Sequence, residues 1–264
     1  MRDVIIIGGG PAGLSAAVNL RARGKDVLII SNKSDRSGLW KAEKINNYLG
    51  LPGITGRELI ERFEGHALDM GVETIYKRVL SAMASGGGYF VSFGNEVQEA
   101  RALLIAGGVV PTKKYEGEER LLGRGVSYCA TCDGMLYRGR RVVVTGNSPD
   151  VPEEADYLRE IGCEVSLIKP KKLRLVGEDR LEAVEADGER IECDGLFILR
   201  PSIAPKDFLP DLRTKGGYIT TDKNGRTNLK GVWAAGDCTG KPLQIAKAVG
   251  EGQTAALDIV EFLG

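Results

Sequence analysis

The chain is poor in several things that would point to particular chemistries. It carries one histidine, His66, so serine-hydrolase chemistry and multi-histidine metal sites have little to stand on. Lys plus Arg equals Asp plus Glu at 36 each, so no global field advertises nucleic acid or an anionic membrane. No apolar run is long enough to span a bilayer. Met1 leads almost directly into Val4-Ile5-Ile6-Ile7 with no leader-like stretch, and a cytoplasmic protein is the expectation. Five cysteines, an odd number, do not make a stapled disulfide scaffold. Low-complexity segments and short tandem repeats are absent. What the chain does have is glycine, 36 in 264 residues. That length suits two modest lobes or one domain carrying an insert.

The first glycine cluster sits in a complete context. Val4 to Ile7 reads as a buried strand, Leu14 to Arg23 as a helix closed by Gly24, and Val27 to Ile30 as the next strand. Between them Gly8, Gly10 and Gly13 form G-x-G-x-x-G. The first glycine permits the tight turn, the second lets backbone N–H groups reach a pyrophosphate, and the third lets helix and strand touch. The helix N-terminus adds unpaired donors and a positive dipole end. A dinucleotide is expected here. The acidic residue that often ends the second strand is missing; Ser31, Asn32 and Lys33 stand there, and Asn32 can still bond a ribose. Near the C-terminus, Gly231-Val232-Trp233-Ala234-Ala235-Gly236-Asp237 reads as strand, small-residue turn and carboxylate, with Asp237 placed to accept from a sugar-like hydroxyl. Gln244 to Leu263 then reads as a helix.

Thr55-Gly56-Arg57-Glu58 is a capping box opening a helix to about Asp69, which Gly71 stops. His66 lies on that helix and reads as structural or exposed. Strand-like runs follow at Glu73–Tyr76, Tyr89–Phe93 and Ala102–Ile105. A second unit begins near Arg140: strand Val142–Val144, helix Pro152–Ile161, strand Val165–Ile168. The expectation is an α/β protein of two nucleotide-binding, Rossmann-like three-layer domains, the second inserted in the first. The outer domain takes 1–110 and 214–264, the inner 111–213. The inner glycine turn is degenerate. In Gly146-Asn147-Ser148-Pro149-Asp150-Val151, Ser148 replaces the glycine that lets a pyrophosphate approach, Pro149 removes a donor, and Val151 is bulky where Gly or Ala would let helix and strand touch. This reads as a nucleotide fold kept as scaffold, and NAD(P)H is not expected to bind tightly there.

The strongest chemical signal is Cys129-Ala130-Thr131-Cys132-Asp133-Gly134. Two thiols at this spacing can close a small disulfide ring; one can attack a partner's disulfide while the other resolves the mixed disulfide. Asp133 can shuttle the proton. A zinc half-site needs two more ligands, and Cys163, Cys193 and Cys238 offer no second C-x-x-C. No metal is expected. An inert buried pair is the remaining alternative, and the other three cysteines read as small buried hydrophobes.

Together these residues resemble the low-molecular-weight thioredoxin reductases. The resemblance runs through nearly the whole chain, on Gly8–Gly13, Cys129–Gly134, Val232–Asp237 and Glu251-Gly252-Gln253-Thr254-Ala255-Ala256. It implies FAD on the outer domain, with Gly8, Gly10, Gly13, Asn47, Asp237 and Gln244 at cofactor-contact positions. It implies a homodimer. It also implies that Cys132 faces the flavin, Cys129 attacks thioredoxin and Asp133 is the acid–base residue.

The departures matter as much. The family's inner domain normally has an intact glycine turn and a His-Arg-Arg-x-x-x-Arg stretch for the NADPH 2′-phosphate. Here the basic stretch is Lys169-Pro170-Lys171-Lys172-Leu173-Arg174, and the domain is shortened after it. Lysine lacks the planar fork of arginine. Gly38-Leu39-Trp40-Lys41-Ala42-Glu43-Lys44-Ile45 replaces the usual Thr-rich loop. The pattern is similar to the pyridine-nucleotide-independent, flavin-containing ferredoxin-dependent branch. Ferredoxin is then the expected electron donor and thioredoxin or a similar small redox protein the acceptor. Arg138, Arg140 and Arg141, with Lys169, Lys171, Lys172 and Arg174, are candidates to dock an acidic ferredoxin or are simply solvated surface. An NADPH-dependent thioredoxin reductase, a non-catalytic flavin-binding regulatory protein and a ferredoxin–NADP reductase of related fold are the competing readings. The last needs no cysteine pair.

Overall fold

The computed structural model describes residues 1–108, 114–148, 150–200 and 204–264. The chain divides into two compact units, 1–110 with 204–264, and 111–203.

The first unit opens with β1 (Arg2–Ile7), α1 (Pro11–Arg21), β2 (Val27–Ser31), α2 (Gly56–Asp69) and β3 (Glu73–Tyr76). The three strands pair in parallel, Ile5 beside Leu28 and Ile29 beside Thr74. An antiparallel run follows: β4 (Val79–Ala84), β5 (Tyr89–Phe93) and β6 (Glu96–Ile105). The second half of β6 is long enough to lie parallel to β1, placing Ile5 beside Leu103. The expected capping box is complete: Thr55 accepts from the Glu58 amide while the Glu58 carboxylate accepts from Thr55 N–H.

The second unit holds α3 (Glu118–Leu121), β7 (Val126–Ser127), α4 (Ala130–Asp133), β8 (Arg141–Gly146), α5 (Val151–Glu160), β9 (Glu164–Leu167), β10 (Leu173–Val176), β11 (Ala183–Ala186), β12 (Glu189–Glu192) and β13 (Gly195–Leu199). Its central sheet is parallel in the order β7-β13-β8-β9. Each face of that sheet has its own core. Val142, Val144, Phe197 and Leu199 pack with Ala130 of α4 and with Val151, Ala155 and Leu158 of α5. Val143, Leu196 and Ile198 pack with Leu173, Leu175 and Val184 of the antiparallel β10-β11-β12 sheet. The alternation of side chains along a strand divides them this way.

The chain returns through α6 (Pro205–Phe208), β14 (Thr214–Lys215), β15 (Tyr218–Ile219), β16 (Val232–Ala234) and α7 (Ile245–Leu263). β16 joins the first sheet parallel to β6. The return falls at 204 rather than 214, because residues 204–213 group with the first unit; Phe208, Leu209 and Leu212 are buried there. Val4, Ile6, Val27 and Ile29 share one core with Leu14, Ala16 and Ala17 of α1 and Ala248, Ala255 and Ile259 of α7. The two helices approach so closely that a Cβ on Gly252 would lie 2.1 Å from the Ala12 carbonyl oxygen. Among the described residues no helix is long and apolar enough to cross a membrane.

Candidate functional site

In the first unit, β1 ends at Ile7 and the backbone turns through Gly8 at φ +114°. A side chain there would be strained and would strike the Ala106 carbonyl oxygen at 2.5 Å. Gly13 has no room either: its Cβ would lie 1.9 Å from the Gly8 oxygen. Gly10 differs from both, since a Cβ built there meets nothing within 4 Å. Two glycines serve the turn and the helix–strand contact, while the middle one faces open space. Gly10 is also the N-cap of α1, with no capping side chain and no acidic residue in the first turn. The donors and positive end of the helix are therefore directed at that space.

The other predicted residues of this unit fall into two groups. Asn47 Nδ2 donates to Gln244 Oε1 at 2.8 Å, so two residues 197 apart in sequence meet, both exposed. Asp237 follows the positive-φ Gly236 after β16 and is half-buried. Burial pushes its carboxyl up, Lys247 draws it down and Glu251 pushes it up further. Asn32 follows β2 directly and is half-buried. Ser31, which in the sequence marks only a missing acid, braces the glycine turn, its hydroxyl accepting the Gly9 amide at 2.8 Å. Lys247, which sequence reasoning did not single out, and Glu251, which it named only within a resemblance motif, also support this region. Glu251 accepts the Gly236 amide at 2.8 Å and the Thr239 hydroxyl at 2.9 Å, while Lys247 donates to Glu251 at 3.0 Å. Their i, i+4 spacing on α7 was the available signal.

In the second unit, Cys129 and Cys132 form a disulfide with Cα atoms 5.4 Å apart. Cys129 is buried and Cys132 exposed. Cys129 is the N-cap of α4, its Sγ accepting the Cys132 amide at 3.0 Å. Ser127 organises the rest: its hydroxyl accepts the Cys129 amide at 3.1 Å and donates to the Asp133 carboxylate at 2.7 Å. The two sulfurs and the carboxylate are thus held by one short segment. Cys163, Cys193 and Cys238 are buried free thiols, and burial pushes the last two up to about 12. Among the described residues no group of three His, Cys, Asp or Glu stands where it could hold a metal ion.

Residues 2–176 and 170–252 match the pyridine nucleotide-disulphide oxidoreductase family. The chain belongs to that family. The thioredoxin reductase of Listeria innocua is 31% identical over 99% of this chain and 93% of its own length. Among solved structures, a ferredoxin-flavin thioredoxin reductase from Clostridium acetobutylicum superposes with TM-score 0.91 at 39% identity, over 99% of this chain and 98% of that one. A thioredoxin reductase from Gloeobacter violaceus superposes with TM-score 0.82 at 30% identity, over 99% and 94%. This member of the pyridine nucleotide-disulphide oxidoreductases is a thioredoxin reductase-like flavoprotein disulfide oxidoreductase.

Within the family fold, the second glycine turn differs in geometry from the first. Gly146 keeps its positive φ, +141°, and a Cβ there would strike the Leu199 carbonyl oxygen at 2.0 Å. The next two amides do not face outward. Asn147 N–H and Ser148 N–H both donate to Leu199 O, at 3.1 and 3.0 Å. Ser148 is buried and bonds Asp150 at 3.2 Å, and Val151 is buried in the core. The first turn of α5 carries Glu153 and Glu154 behind the N-cap Asp150. Pro149, the other expected departure, lies outside the described residues.

Proposed function

We propose that this protein carries electrons from reduced ferredoxin to thioredoxin or a similar small redox protein, in a reducing cytoplasm, with FAD held by the first unit. The observation that carries the reading is the Cys129–Cys132 disulfide with Asp133 bonded beside it through Ser127. The residues of the first unit fit FAD. The open space at Gly10 and the uncapped start of α1 suit a pyrophosphate. Gly8 and Gly13 shape that cradle. Asp237 and Asn32 would accept from or donate to sugar hydroxyls, and the Asn47–Gln244 pair would offer amides to the same cofactor. Bound FAD would supply a two-electron store and the means to open the disulfide.

The chain's own chemistry then follows from thiol–disulfide exchange. With both cysteines reduced, the Cys129 thiolate attacks one sulfur of the acceptor's disulfide. A bond forms between Cys129 and that sulfur, the acceptor's S–S bond breaks, and its second sulfur leaves as a thiolate and takes a proton. The Cys132 thiolate then attacks Cys129 Sγ, closing the intramolecular bond and releasing the acceptor's first sulfur as a second thiolate, which takes another proton. The acceptor gains two electrons and two protons, and the enzyme pair becomes a disulfide. Asp133 is the group beside the pair that can hold and pass such a proton.

Two observations support ferredoxin over a pyridine nucleotide as donor. The Clostridium acetobutylicum structure with which this chain superposes is of a ferredoxin-flavin thioredoxin reductase. The second glycine turn has spent its amides on Leu199 and set Asp150, Glu153 and Glu154 where a dinucleotide would bring phosphates. Negative charge at a helix N-terminus repels a pyrophosphate that bare N–H groups would bind. Arg138, Arg140 and Arg141, at the start of β8, and Lys169, Lys171 and Lys172, beyond the end of β9, are two separate exposed basic clusters at opposite ends of the parallel sheet, and either is a candidate to meet an acidic ferredoxin. A homodimer accompanies this assignment. Anaerobic titration with NADH, NADPH and reduced ferredoxin, followed at the flavin band, tests the donor. Reduction by ferredoxin alone is the expected result; stoichiometric bleaching by NADPH would replace it with the NADPH-dependent reading.

A further inference from the structure

Glu118 has no exposed surface. Its carboxylate takes both arms of the Arg200 guanidinium, at 2.6 and 2.8 Å, the Tyr115 amide at 2.8 Å and the Tyr128 hydroxyl at 2.8 Å. Arg200 lies over the rings of Tyr115 and Tyr128, 5.5 and 5.9 Å from their centres. Burial alone would push the Glu118 carboxyl up; the bonds from Arg200 and the Tyr115 amide outweigh it and hold it below its ordinary value. A buried ion pair adds little net stability over apolar residues of the same size, while its paired, bidentate geometry fixes where its members sit.

That geometry ends at the redox pair. Tyr128 directly precedes Cys129, and it follows β7 at the carboxyl end of the parallel sheet, as Arg200 follows β13. The Tyr128–Cys129 peptide is therefore gripped from two sides. The Tyr128 hydroxyl is tied to Glu118, and the Cys129 amide is tied to Ser127. Cys129 Sγ in turn accepts the Cys132 amide at 3.0 Å, and the backbone path fixed at Tyr128 and Cys129 sets where that sulfur sits. A thiolate accepting such an amide is stabilised and reacts at lower pH.

We propose that Glu118 and Arg200 are positioning residues for Cys129, acting through the Tyr128 side chain. The proposal rests on Cys129–Cys132 being the working redox pair. The test is alkylation of the reduced holoenzyme with iodoacetamide across a pH series, with adducts on Cys129 and Cys132 separated by peptide mass mapping. Tyr128→Phe keeps the ring against Arg200 and removes only the hydroxyl. Glu118→Gln keeps the shape and removes the charge. In both variants Cys129 alkylation at neutral pH is expected to fall about fivefold, roughly the worth of one hydrogen bond, with its pH midpoint moved upward. Cys132 is expected to change much less. Wild-type rates and midpoints in Tyr128→Phe, or equal shifts on the two cysteines, would overturn the proposal; if Glu118→Gln does not fold, Tyr128→Phe decides alone. The underlying redox reading fails separately, if thioredoxin reduction survives Cys129→Ser.

Discussion

The Glu154 carboxylate, in the first turn of α5, accepts the backbone amide of Ala130 at 2.9 Å. Ala130 is the first residue of the helix that carries Cys132. The helix start that would face a pyrophosphate in an intact nucleotide fold is thus occupied with holding the redox helix. The start of α1, by contrast, has no acidic residue in its first turn.

Removing that carboxylate leaves the buried Ala130 amide without its bond. Glu154→Ala is expected to destabilise the protein by about 1–3 kcal/mol, the range for stranding a buried donor. A drop in melting temperature checks it, and NADPH is still expected to leave the flavin band unchanged, because Leu199 retains the turn amides.

The glycine cradle separates packing from ligand approach. Gly13→Ala forces a Cβ to 1.9 Å from Gly8 O and is expected to damage both fold and flavin content. Gly10→Ala meets no protein atom within 4 Å, so the fold should persist while FAD content falls. The absorbance ratio of flavin to protein, read with circular dichroism, distinguishes the two; full FAD in Gly10→Ala would remove the pyrophosphate from this position.

At the redox pair, Cys129→Ser or Cys132→Ser should abolish thioredoxin reduction while the flavin still accepts electrons from its donor. Asp133→Asn should slow turnover by about 10²-fold, the lower end for a positioned acid–base group. Ser127→Ala, which frees the Asp133 carboxylate from its 2.7 Å bond, should act in the same direction and more weakly. Turnover with excess donor measures all four.

Acid should act through Glu118. Its carboxyl is held below its ordinary value, burial being outweighed by Arg200 and the Tyr115 amide. The unfolded chain therefore binds its proton at higher pH than the native one. The resulting stability is fully present above the unfolded value, near pH ~4.3, and is lost as pH falls through the lower folded value. Melting temperature against pH should show wild type losing more than Glu118→Gln over that acid range. Parallel curves would remove Glu118 from the acid response.

The sequence by itself determined what depends on near neighbours. Glycine spacing after β1 declared the tight turn and the close helix–strand contact, Thr55 and Glu58 declared their capping box, and Cys129 with Cys132 declared a disulfide three residues apart. These features need only local backbone geometry, which residue types encode directly. The tertiary structure alone decided which distant groups meet. Glu118 finds Arg200 82 residues away because β7 and β13 are neighbours in the order β7-β13-β8-β9, which brings α3, just before β7, near the end of β13. The same order sets Leu199 against the degenerate turn, where its carbonyl takes two amides that the sequence left unassigned. Residues 204–213 likewise group with the first unit although no sequence signal marks their start. Partners of buried charges and of turn amides follow from strand neighbours, and these are chosen by the packing of both sheet faces together.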